Sequence, residues 1–156
     1  QIFYDLKYVN KEVLHKAIDL LSRREHSVSE LRNKLQMRDF EAADIEGVVS
    51  FVIEENYLSN ERFTDVMIRS RASKGYGKRY IENELQQKGI DQSLINLTMQ
   101  EQAIDWYQQA ELAYKKRFGE TFIKDQKDKA KRIRFLQYRG FSTDEIIAVL
   151  SNVSKD

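Results

Sequence analysis

Residues 84–95, ELQQKGIDQSLI, and residues 135–147, FLQYRGFSTDEII, are two versions of one pattern. In each, a leucine closes an apolar helical stripe, a glycine follows four positions on, a large apolar residue comes next, and a second stripe opens five residues later. A glycine just past the last helical residue takes the left-handed conformation that closes a helix without steric cost. In the second version Ser142 and Glu145 form a capping box, in which the serine accepts from an orphan backbone N–H and the glutamate reaches back to the cap. Both stretches therefore read as helix, tight turn, helix.

The pattern occurs three times. Leu35, Phe40, Ile45 and Val49 recur as Leu85, Ile90, Ile95 and Met99 at an offset of 50, and as Leu136, Phe141, Ile146 and Leu150 at a further offset of 51. Ser27 and Glu30 (SVSE) make another capping box, and Asp91 occupies the position of Ser142. The preceding helix joins the register: Val13, Phe63 and Tyr114 correspond, as do Ala17, Met67 and Phe118. Apolar spacings of three and four in 13–21, 45–53 and 63–68 are those of amphipathic helices burying one stripe. With no proline and six glycines, mostly at the ends of such stripes, helix is permitted nearly everywhere. Only QIFYDLKYVN, residues 1–10, reads as an extended arm. The expected fold is all-α, with three tandem three-helix, helix-turn-helix-like repeats over 11–59, 60–104 and 105–156. A unit of this size has a thin core and leans on its neighbour, so an elongated, curved array is expected. The alternative is one compact bundle in which the repeat is accidental.

An apolar content of 41% suffices for a core, and the 26 basic residues nearly balance the 25 acidic ones. Without cysteine there are no disulfides, thiolate metal sites or cysteine nucleophiles, which favours an intracellular setting. The longest apolar run, VVSFVI at 48–53, is far short of the roughly 20 residues of a membrane span, and no signal peptide is visible. The balanced total conceals a polarity. Residues 39–61 hold seven acidic residues and no basic one, a net of minus seven. Residues 115–139 hold ten basic residues against three acidic ones, a net of plus seven. Each run reads plainly as a solvated helix face; together they suit an extended partner with a charge pattern of its own.

No Walker loop, nucleophile elbow or dinucleotide fingerprint occurs, and no spacing singles out a nucleophile and its base, so no enzyme, catalytic residue or cofactor is expected. His15 and His26 lack the carboxylates of a metal site and read as surface or helix-end residues. Basic residues interleaved with Tyr76, Tyr80, Tyr107 and Tyr138 suit phosphate contacts and base stacking, although tyrosines at helical spacing also serve as half-buried core. The last helix of each later unit, DQSLINLTMQEQ or STDEIIAVLSN, is acidic or polar, so base reading by those helices is not expected.

RSRASKGYGKRYIENELQQKGI (69–90), preceded by YLSNERF (57–63) and followed by RFLQYRGFSTDEI (134–146), resembles the RecX family, the regulatory proteins of the RecA recombinase. HSVSELRNKL (26–35) is similar to the first repeat of that family, and the resemblance spans roughly 11–150. It implies a bacterial cytoplasmic protein, a monomer acting in DNA recombination, repair and the SOS response. Such a protein binds the RecA–DNA filament and restrains its recombinase, ATPase and coprotease activities. Arg69, Arg71, Lys74, Gly75, Gly77, Glu84, Leu85, Lys88 and Gly89 match the family pattern as they stand. Leu85 reads as core, and Glu84 as a cap or the partner of a basic side chain.

The candidate partner-binding or nucleic-acid-binding residues are Arg69, Arg71, Lys74, Tyr76, Lys78, Arg79, Lys88, Lys127, Lys131, Arg132, Arg134 and Arg139. Glu41, Asp44, Glu46, Glu54 and Glu55 form the candidate acidic face toward protein. The array is expected to lie in the filament groove, basic faces toward DNA or acidic protein. Single- or double-stranded DNA is a possible direct partner, and a stand-alone nucleic-acid-binding module or an adaptor for another protein remain alternatives. Within KGYG (74–77), Gly77 aligns with Ser27 at a helix N-terminus. Lys74, Tyr76, Lys78 and Arg79 surround that end, so the turn is expected to be exposed and to meet a phosphate or carboxylate through free backbone N–H groups.

Overall fold

Where the sequence repeats its apolar spacing, the backbone is helical. The computed structural model describes residues 8–153, in which there are nine helices and no strand. They are α1 (Lys11–Arg23), α2 (Val28–Gln36), α3 (Ala42–Glu54), α4 (Asn60–Ser73), α5 (Lys78–Gln87), α6 (Gln92–Gln102), α7 (Trp106–Phe118), α8 (Gln126–Tyr138) and α9 (Thr143–Ser151). The fold is all-α, in three sets of three helices. Most of the expected arm, residues 1–10, lies outside the described residues.

The repeat register is a burial register. Leu35, Leu85 and Leu136 are fully buried, as are Val13, Ile45 and Ile95, while Phe40, Leu150 and Phe118 are half-buried against the cores. A buried leucine or isoleucine contributes about 1.5–3 kcal/mol, so these few positions carry much of the folding energy of short helices that would not persist alone. Both capping boxes form: Ser27 accepts from Glu30 N–H at 3.0 Å, and Ser142 from Glu145 N–H at 3.2 Å. Asn10, Asp105 and Asp125 cap α1, α7 and α8 in the same way, through side-chain oxygens.

By its contacts the chain divides into two compact units. One comprises the residues up to Val66 together with Gln86–Leu94; the other comprises Met67–Leu85 and the residues from Ile95 onward. α4, α5 and α6 thus each contribute residues to both. In the first unit α1, α2 and α3 pack on one another around Val13, Ala17, Leu31, Leu35, Val48 and Val52. In the second, α7, α8 and α9 enclose Ala110, Tyr114, Leu136, Phe141, Ile146 and Val149.

The left-handed residues between the second and third helices show why the glycines recur. Gly89 has φ 78° and Gly140 φ 93°. The corresponding position in the first set is Asp39, with φ 61°. Aspartate tolerates this conformation better than most side chains but still carries a steric cost that glycine does not. Replacing Asp39 with glycine is expected to raise stability by about 0.5–1 kcal/mol, and Asp39→Val to lower it. Urea denaturation of the two variants measures both shifts.

Candidate functional site

In the second unit the KGYG turn joins α4 to α5 and rests on the turn that follows α8. Gly75, at φ 91°, closes α4, with Tyr76 N–H donating to the Arg71 carbonyl at 3.0 Å. Gly77 N–H donates to the Arg139 carbonyl, and Arg79 N–H to that of Gly140 at 3.2 Å. Two amides at the start of α5 that sequence reasoning left open for an anion are therefore occupied by carbonyls of the chain itself. The backbones touch so closely that a methyl group on Gly77 would lie 2.6 Å from the Gly140 carbonyl, and one on Gly140 2.4 Å from Tyr80 N. Gly77 is buried, while Lys74, Lys78 and Arg79 remain exposed.

This pairing of turns delivers Arg139 to the KGYG segment. Its Nη1 donates to the Lys74 carbonyl at 3.2 Å, and its guanidinium lies 4.8 Å from the centre of the Tyr76 ring and 5.1 Å from that of Phe135. Tyr76 in turn stacks on Tyr80, centroids 4.2 Å apart. Arg117, in the last turn of α7, lies 5.9 Å from the Phe135 centroid. Lys74, Gly75, Ala113, Lys116, Arg117, Phe135 and Arg139 line a cavity of about 240 Å³ here. Sequence reasoning missed Lys116 and Arg117. The signal was present: Tyr114 and Phe118 point inward in the register, which turns the run 115–117 outward.

Two of the named arginines are spent inside the fold. Arg71 forms a two-pronged pair with Glu84, Nε to Oε1 at 2.8 Å and Nη2 to Oε2 at 3.0 Å, the second of the two roles read for Glu84. Arg132, placed by sequence on the outward basic strip, is only 3% exposed. It donates to the Tyr114 hydroxyl (2.6 Å), the Thr121 and Phe122 carbonyls (2.9 and 3.0 Å) and the Asp128 carboxylate (3.0 Å). A planar guanidinium with five donors suits such a role, and its place one turn before buried Leu136 was the signal that a count of charge alone passed over. Lys127, Lys131 and Arg134 are exposed on α8, Arg69 on α4, and Tyr107 and Tyr138 are exposed as well. Lys78 pairs loosely with Glu82 at 3.8 Å.

In the first unit Lys88 faces inward charge. Its Nζ lies 3.1 Å from Oε2 of Glu30, which also receives Nη2 of Arg24 at 2.7 Å. Burial alone would raise the Glu30 pKa, but the bonds and charges of Arg24 and Lys88 outweigh it and hold the carboxyl at about 2. His26, expected at a surface or helix end, immediately precedes the α2 cap and is buried. Lys34 Nζ lies 2.9 Å from its Nε2, which makes Nε2 the acceptor and leaves Nδ1–H to donate to the Arg24 carbonyl at 3.1 Å. Burial first, then the charges of Arg24 and Lys34, push its pKa down against the opposing backbone bond and the Glu30 charge. Of the acidic residues, Glu46 is held by Arg32 (2.8 Å) and Asp44 accepts from Asn10 (3.1 Å). Glu41, Glu54 and Glu55 are exposed at the two ends of α3.

Three family models match in succession: the first three-helix domain of RecX over residues 14–51, the second over 59–99 and the third over 103–150. The chain belongs to the RecX family. Among curated relatives, the "Regulatory protein RecX" of Vibrio parahaemolyticus is 46% identical over 140 residues, covering 90% of each chain. That of Serratia proteamaculans is 36% identical over 160 residues, covering 88% of this chain and 95% of the relative. The crystal structure of RecX from Lactobacillus salivarius shares the fold at 16% identity, with a TM-score of 0.71 over 92% of this chain and 95% of that one. The RecX relatives are thus named as regulatory proteins. Among the described residues no helix is long and apolar enough to cross a membrane.

Gly77→Ala and Gly140→Ala are each expected to lower the thermal midpoint by several degrees, because the methyl group meets backbone that cannot yield. Thermal scans by circular dichroism, with Gly47→Ala as the uncrowded control, measure this. For Glu30, the depressed pKa means that its stabilisation is full above about pH 4.5 and is lost as pH falls from there toward about 2. Glu30→Gln should therefore cost about 2–3 kcal/mol at pH 7, with the deficit shrinking below pH 4.5 in denaturant titrations across pH.

Proposed function

We propose that the protein binds the RecA–DNA nucleoprotein filament in the cytoplasm and restrains its recombinase, ATPase and coprotease activities. Membership of a family of regulatory proteins, through three tandem three-helix domains over 14–150, is the observation that carries this reading. Two features of the chain support it. Exposed cations gather in the second unit, on the KGYG turn and along α7 and α8, whereas exposed carboxylates gather in the first unit around α3. A partner that presents both phosphate and protein charge along its length matches that separation, and many modest contacts on a repeating partner give affinity through multivalency.

Lys74, Lys78, Arg79, Lys127, Lys131, Arg134 and Arg139 are the proposed cationic contacts, with Arg69 beside them; Glu41, Glu54 and Glu55 are the proposed acidic contacts. Arg71, Arg132 and Lys88 act by holding the fold. Purified protein added to recombinase filaments is expected to slow ATP hydrolysis and strand exchange in proportion to binding. Unchanged rates at several-fold excess over saturation would overturn the proposal.

A further inference from the structure

Among the described residues, most cations that meet a neighbour meet a carboxylate, whether Arg24, Arg32, Arg62, Arg71 or Lys88. The cavity between the KGYG turn, α7 and α8 departs from that rule. Lys74, Lys116, Arg117 and Arg139 line it, no acidic side chain does, and among the described residues none of the four pairs with a carboxylate. Four like charges around about 240 Å³ repel one another, and the fold holds two of them there. Arg139 is fixed by the Lys74 carbonyl and by the Tyr76 and Phe135 rings, and Arg117 by the rings of Phe118 and Phe135. A guanidinium seated on aromatic faces loses little freedom when it binds an anion, which is pre-organisation rather than accident. By contrast, the larger groove of the second unit, lined by Phe122, Ile133, Ile147 and Leu150, has Lys129 as its one charged wall residue.

We propose that Lys74, Lys116, Arg117 and Arg139 form a cradle for backbone phosphates of a nucleic-acid strand. A single partner carboxylate would leave three of the four charges uncompensated. A nucleic-acid strand instead carries a charge about every 3.4 Å and so offers several phosphates to one cluster. Guanidinium groups bind phosphate oxygens through paired, charge-assisted hydrogen bonds, and such binding is indifferent to sequence. The inference deepens the filament reading, on which it rests only for the source of the strand; the cradle itself needs no recombinase.

Fluorescence anisotropy of a labelled single-stranded oligonucleotide, titrated over a series of salt concentrations without recombinase, tests it. The double variant Lys74→Ala/Lys116→Ala should reduce the slope of log affinity against log salt by about 1.4, about 0.7 for each phosphate that is no longer neutralised. Lys127→Ala/Lys131→Ala removes the same charge from exposed sites on α8 and should change the slope by less than half as much. Arg117→Lys keeps the charge and removes the fork; it should weaken binding with the slope retained. Equal reductions in the two double variants, equally tight and salt-sensitive binding of polyglutamate, or no oligonucleotide binding at low salt would each overturn the cradle. ATPase inhibition measured on the same proteins separates the two readings. Inhibition without cradle-dependent oligonucleotide binding defeats the cradle alone, and cradle-dependent binding without inhibition leaves the cradle standing and defeats the filament reading.

Discussion

The second unit depends on two turns whose backbones touch. Gly77 and Gly140 approach more closely than any side chain at either position permits, and two amides at the start of α5 donate across the junction. A helix N-terminus with unpaired donors costs free energy when it is enclosed, so this pairing satisfies α5 while it fixes where α8 ends. Everything at the candidate site follows from that placement. Arg139 is adjacent to one of the touching glycines, and its side chain is thereby set down on Tyr76 and the Lys74 carbonyl. The cations around the cavity are neighbours because two amides needed partners.

Charge in this chain has two uses, and burial distinguishes them. Glu30 with Arg24 and Lys88, Arg71 with Glu84, and Arg132 with Asp128 are pairs in which each enclosed charge is offset by a partner and by further hydrogen bonds. Breaking one member of such a set leaves the other enclosed and uncompensated, which is why these residues belong to the fold. Lys74, Lys116 and Arg117, exposed and without carboxylates, contribute nothing comparable to stability. Their mutual repulsion is a cost that no carboxylate among the described residues offsets.

The fold was legible because helix, turn and cap each left a periodic mark. Leu35, Leu85 and Leu136 share one environment, and the spacing that aligned them also located the glycines and both capping boxes. What the spacing could not reveal was any meeting of residues distant in the chain. Gly77 and Gly140 each read as a local turn residue, and nothing in either neighbourhood shows that one turn sits on the other. The same limit explains Arg132, which shares its charge with the exposed lysines of α8 yet lies under a loop eleven residues away. His26 is a shorter-range case, in which Lys34, in the last turn of α2, meets the imidazole eight residues before it. Asp39 is a different case. The register placed it opposite the two glycines, and aspartate is one of the few side chains that tolerate a left-handed backbone, so both signals were present in the sequence.

Arg132 also bears on how the second unit comes apart. One guanidinium joins α7 through Tyr114, the segment from Gly119 to Asp125 through two carbonyls, and α8 through Asp128. Because all three pieces are tied to that side chain, none can open without releasing it. On that linkage the three pieces would open together, as one cooperative unit. In limited proteolysis, the loop before α8 would then resist cleavage as the helices it touches do, although its own residues are largely exposed to solvent.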